Sequence, residues 1–191
     1  MDLIEWIRDE HYWIRIMFER DVAKLVPLER LTERAGPNSN SIAWLVWHMA
    51  RLEDAAVNGA IRQKTQIFYR DTWGPRIGTR QTTQGNNFGD EEMEEFAHLD
   101  AGELLAYWQA VTEETIEWLK DLTAEQLSTK VDIPKIVAEN PAVLEGVDDG
   151  FIKYFTGKDV GYLLRWPVIL HGHLHLGEML AIRGLIGITE N

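Results

Sequence analysis

Six histidines are present, and three of them fall within five residues: His171-Gly172-His173-Leu174-His175, followed by Leu176-Gly177-Glu178. Imidazoles grouped this closely serve as metal ligands or as proton carriers. On a helix, His171 and His175 stand one turn apart on one side, the spacing at which two imidazoles share a cation. His173 is two residues from each and points roughly 200° away. Glu178 returns to the side of the pair, one turn beyond His175. Two ligands do not complete a site, since stable sites generally take three from the protein. A third candidate is His48, in Trp44-Leu45-Val46-Trp47-His48-Met49. It lies one turn from both Leu45 and Leu52, which aims it at the core or its edge. Three neutral imidazoles on one side of a cation leave positions open for water or substrate, the arrangement of a catalytic site.

Other readings of these residues compete with that one. Histidines on apolar faces also serve as hydrogen-bonded core residues. On a β-strand, His171, His173 and His175 would all face one side, but the flanking apolar run from Leu163 to Ile182 is far too long for a strand. A zincin motif fails because Gly172 stands where HExxH needs its general-base Glu.

Four segments with helical periodicity must position these groups, and no segment carries sustained strand alternation. The first runs from about Asp2 to Leu25 and is stopped by Pro27. The second runs from about Ser41 to Arg62, with Asn40 or Ser41 as N-cap. Its residues Ile42, Leu45, Met49, Leu52 and Ala56 form an inward stripe at 3-4-3-4 spacing. The third spans about Ala101 to Leu122. The fourth runs from about Asp159 to Leu185, with Pro167 expected to kink it. Being apolar nearly all round, it is expected to be the most buried. The fold class implied is all-α: a four-helix bundle forming a single domain over 1–191. Two long connections, Lys64 to Asp100 and Thr123 to Lys158, are expected to cover one end. Only weak strand character shows around Ile67-Phe68-Tyr69.

Composition limits the chemistry. The 191 residues include no cysteine, which excludes disulfides, thiolate-zinc sites, iron–sulfur clusters and cysteine nucleophiles. With 19 Lys+Arg against 31 Asp+Glu, the net charge of −12 argues against nucleic-acid partners. Apolar residues at 45% fit a globular chain. The longest apolar stretch, about Val160 to Ile188, is interrupted by charged residues and histidines, which argues against a membrane span. The acidic N-terminus differs from a secretory signal, so the expected location is the cytoplasm.

The arrangement resembles the DinB/YfiT-like superfamily. One His on the second helix and H-x-x-x-H-x-G-[Q/E] on the last are similar to that family's pattern, here His48 and His171-x-x-x-His175-Leu176-Gly177-Glu178. The family often has Arg before that Gly and Gln after it, so Leu176 and Glu178 depart from the commonest form. The resemblance implies a divalent metal (nickel, zinc or iron) held by His48, His171 and His175. Relatives include thiol-dependent S-transferases using bacillithiol or mycothiol, and a maleylpyruvate isomerase. A chain without cysteine must then take any thiol from a low-molecular-weight cofactor. Glu178 is the catalytic candidate, to orient a ligand or take up a proton.

Around this centre, five basic residues between Arg62 and Arg80 reverse the local charge, and Arg76 with Trp73 is the candidate substrate contact. Solvated loop charge is the simpler account of that run. The acidic run Asp90 to Glu95 reads as a solvated helix start. Of eight tryptophans, Trp44, Trp47, Trp73 and Trp166 are candidates for a pocket mouth or a homodimer face. The expected partner is a small-molecule substrate, in a metal-dependent transferase or isomerase-type enzyme. A metal-dependent hydrolase using bound water is an alternative, and so is a non-catalytic binding or dimerisation bundle.

Overall fold

Asp2 and Glu5 cap each other's backbone amides and start the first helix, α1 (Leu3–Phe18), which runs on through a π-helical turn, Glu19–Ala23. The Ser41 hydroxyl accepts the Trp44 amide and starts α2 (Ile42–Asp54), which continues as π-helix through Ala55–Ile61. Asp100 caps α3 (Ala101–Leu119) through the Glu103 amide. Asp159 caps a short helix, Val160–Leu163, that leads into α4 (His171–Leu185). The computed structural model describes residues 1–86 and 88–189, with Asp90 described in its backbone alone. All regular secondary structure among these residues is helical, with two isolated bridge pairs, Arg34 with Ser41 and Lys130 with Asp159.

α2 packs against α3 and α4, and α1 packs against the same two helices from the opposite side. Two apolar clusters fill the interior. One gathers Phe18, Trp47, Tyr107, Trp108, Leu176 and Met179; the other gathers Ile7, Leu52, Ala56, Leu119 and Leu163 with Phe151 and Phe155. The predicted α2 stripe is buried throughout.

The sequence expectation for the last helix is corrected. All 13 residues of α2 are buried, whereas α4 buries only Gly172, Leu176, Met179 and Ile182. Leu174 is 61% exposed and Leu185 75%. Leu176, Met179 and Ile182 thus form one inward face of α4 while Leu174 and Leu185 meet solvent, and α2 takes the central position between other elements. Pro167 sits within a π-helical turn, Leu164–Leu170, through which the helical path continues into α4. The wider turn accommodates the proline ring and its missing donor.

Both long connections fold into short helices. Ile67–Arg70, expected to have strand character, is helical because the Asp54 carboxylate accepts the Ile67 and Phe68 amides, both at 2.9 Å, and so caps it from α2. The two connections also hold each other. Gln66 Nε2 donates to the Val143 and Glu145 carbonyls, and Asn86 Nδ2 to the Asp148 carboxylate. Among the described residues no helix is long and apolar enough to cross a membrane.

Candidate metal centre

α2 and α4 bring His48, His171 and His175 together. His48 is buried, and the other two are partly buried. His48 Nε2 lies 3.3 Å from His171 Nε2, and His175 Nε2 lies 3.1 Å from the same atom. One ring nitrogen from each residue falls within 4.8 Å of the others. Imidazoles that share one tetrahedral cation at about 2.0–2.1 Å hold their nitrogens roughly 3.3 Å apart, which matches these separations. Gly172, between the ligand candidates, lets α1 approach: a Cβ there would stand 2.9 Å from Ile14 Cδ1.

The hydrogen bonds around the rings decide which nitrogens carry protons. His48 Nδ1–H donates to the Gln84 carbonyl at 2.5 Å, and His175 Nδ1–H donates to Glu178 Oε2 at 2.9 Å. Each bond leaves Nε2 as a lone pair directed into the cluster. Asn40 Nδ2 in turn donates to Glu178 Oε1 at 2.9 Å, which fixes the carboxylate. His171 Nδ1 is buried and has no partner. In the absence of a cation, His171 Nε2–H serves one neighbour and leaves the other lone pair unmatched. A cation at the common point accepts all three lone pairs, so the donor set fits a borderline divalent metal such as zinc or nickel.

Electrostatics point the same way. Burial pushes His48 down to about 4, against the opposing pull of the Gln84 carbonyl, which favours the protonated ring. Burial and the two neighbouring imidazoles push His171 down to about 3. Both rings are therefore neutral at pH 7 and available as ligands. Trp44 stacks on His48 with centroids 4.8 Å apart and planes 8° from parallel, shielding that side from water. Gly85 allows this closure: its φ is +87°, and a Cβ there would stand 3.2 Å from Trp44 Nε1.

The remaining candidates divide. Trp44 and Trp166 stand at the cluster, with the Trp166 ring 6.2 Å from that of His171. Trp47 and Trp73 belong to the core beside Tyr107. Arg76 lies over the Trp73 ring and pairs with Glu103 at 2.7 Å, so this pair engages α3; no hydrogen bond or ring contact joins it to the histidines. The other arginines of the basic run are also met by acids, since Arg62 and Arg70 pair with Glu114 and Arg80 with Glu95. Glu95 also accepts from Thr79 and the Arg80 amide, while the Asp90 side chain lies outside the described residues. His11 bonds Glu53, His173 bonds Glu10, and His98 is an exposed neighbour of Glu94.

One turn beyond His48 lies a polar network that sequence reasoning missed. Arg51, Asp54, Gln66 and Tyr107 are all fully buried. Arg51 donates to Gln66 Oε1 and Tyr107 Oη, and twice to the Thr82 carbonyl. Asp54 accepts from Asn58, Tyr107 and the two amides already described. Arg51 thereby holds Thr82 two residues before Gln84, whose carbonyl sets the His48 tautomer. The available signal was an Arg and an Asp three residues apart in a segment otherwise apolar enough to be buried all round.

These features define a helical bundle with a three-histidine cluster between its second and last long helices. The model of the DinB superfamily matches residues 19–179, and the chain belongs to that superfamily. The crystal structure of a conserved protein from Enterococcus faecalis has the same fold, with a TM-score of 0.71 at 18% identity over 97% of this chain and 98% of that one. No curated protein matches.

Proposed function

We propose that this protein is a divalent-metal enzyme of thiol-dependent transfer or isomerase type, with His48, His171 and His175 as ligands. The observation that carries this reading is the fixed tautomer of two rings, which turns their Nε2 lone pairs onto a common point with His171. A bound divalent cation supplies Lewis acidity, lowering the pKa of a coordinated thiol or water so that a nucleophile exists near neutral pH. The chain's own residues prepare the site for it. Gln84 and Glu178 hold protons on the distal nitrogens of His48 and His175, and Asn40 orients Glu178. Trp44 limits water on the His48 side. With no cysteine in the chain, a sulfur nucleophile comes from a small molecule.

The test is turnover of an electrophile panel by nickel- or zinc-loaded protein, with and without an added low-molecular-weight thiol. Consumption of thiol that disappears in His171→Ala supports the transfer reading. Turnover without added thiol assigns the site to hydrolysis. No turnover in either condition, with metal bound, leaves a metal-binding protein and removes the catalytic reading.

A further inference from the structure

A second cleft lies where the start of α1 meets the short helix before α4. It has a volume of about 280 Å³, and its walls are Leu3, Trp6, Ile7, Leu127 and Tyr162, with Arg165 at the rim. Among the described residues Arg165 is the one arginine with neither a hydrogen bond nor an ion pair; its guanidinium carbon lies 5.7 Å from the Tyr162 ring centroid. Lys158 Nζ lies 4.7 Å from the same centroid and likewise meets no carboxylate within 4.0 Å among those residues. Asp159, also in the lining, is already engaged: Oδ1 accepts the Tyr162 amide and Oδ2 faces Lys130 Nζ at 3.4 Å. The Tyr162 hydroxyl is paired with that of Tyr154 at 2.8 Å.

Arginine presents a planar fork that receives a carboxylate through two parallel hydrogen bonds, and the ring beside it keeps the guanidinium in place. Below that rim the walls are mostly apolar side chains, with room for a short alkyl chain or an aryl ring. We infer that this cleft binds a small amphipathic carboxylate, an aliphatic or aryl acid whose apolar body lies against Trp6, Ile7 and Leu127 and whose carboxylate meets Arg165. The site is separate from the histidine cluster and uses none of its residues.

Calorimetric titration of the full metal-loaded chain with octanoate tests this. The expected result is saturable one-to-one binding, weakened at least tenfold by Arg165→Met. Octyltrimethylammonium, with the same tail and the opposite charge, should not bind. Binding should persist within twofold in His171→Ala, which separates this cleft from carboxylate capture at the histidines; loss in that variant with none in Arg165→Met would overturn the assignment. Absence of saturable binding would overturn it as well. So would a dimer in sedimentation that Leu3→Asp dissociates, which gives the cleft to a second copy. Uptake onto anionic vesicles lost in Arg165→Met, with no octanoate binding, would give it to a membrane surface.

Discussion

Two polar clusters sit one turn apart on α2, and they differ in how completely they are satisfied. Around Arg51 and Asp54, every charged atom meets a donor or acceptor from α3, from the 66–82 segment or from the helix itself. Around His48, the outward nitrogens are fixed, while the inward ones face each other with one proton too few to satisfy them. A buried network that closes on itself serves the fold. The three-histidine cluster has the ligand set of a group that could hold a metal ion.

The comparison is broken most forcefully on the closed side. Asp54→Ala leaves Arg51 buried without its counter-charge and removes the cap of Ile67–Arg70, so urea unfolding should show a loss of about 3–5 kcal/mol. Metal per folded chain should stay near that of the unaltered protein.

Acid should expose the open side. The folded pKa of His48 is about 4 and its ordinary value 6.5, so between these values the unfolded chain takes up a proton that the native ring refuses. The stability from its neutral form is complete above pH 6.5 and is lost as pH falls towards 4, on the order of 3 kcal/mol. His171, held at about 3, adds to the same slope. Unfolding of metal-free protein across pH 7 to 4 checks this, and His48→Ala should flatten the curve.

Supporting residues should give the smallest changes. Glu178→Ala frees the His175 ring and should weaken zinc or nickel binding about 10–100-fold in competition with a chelator. Asn40→Ala, one bond further out, should weaken it less than tenfold.

Much of the centre was legible in sequence because its signal is local. His171 and His175 are one turn apart, and His48 sits within an inward stripe, so spacing alone placed all three. Glu178 was legible as a neighbour of the pair, but Asn40, read there as a cap candidate, reaches it across 138 positions of chain. The Ile67 helix was hidden for the same reason, since its cap lies 13 residues upstream on another element. The burial of α4 was misjudged because apolar character says which residues tolerate the interior, whereas position among neighbouring helices decides which ones reach it. Trp73 and Arg76 carried the right chemistry for a ligand contact, but α3 offers Tyr107 and Glu103 to them first.

The central claim is that the three imidazoles are completed by a cation. The direct measurement is metal content by mass spectrometry of protein purified without an affinity tag, alongside His171→Ala with its fold checked by circular dichroism. About one divalent ion per chain, lost in the folded variant, is the predicted result. No metal in the unaltered protein and no uptake of added nickel or zinc, or equal metal in the variant, would contradict it.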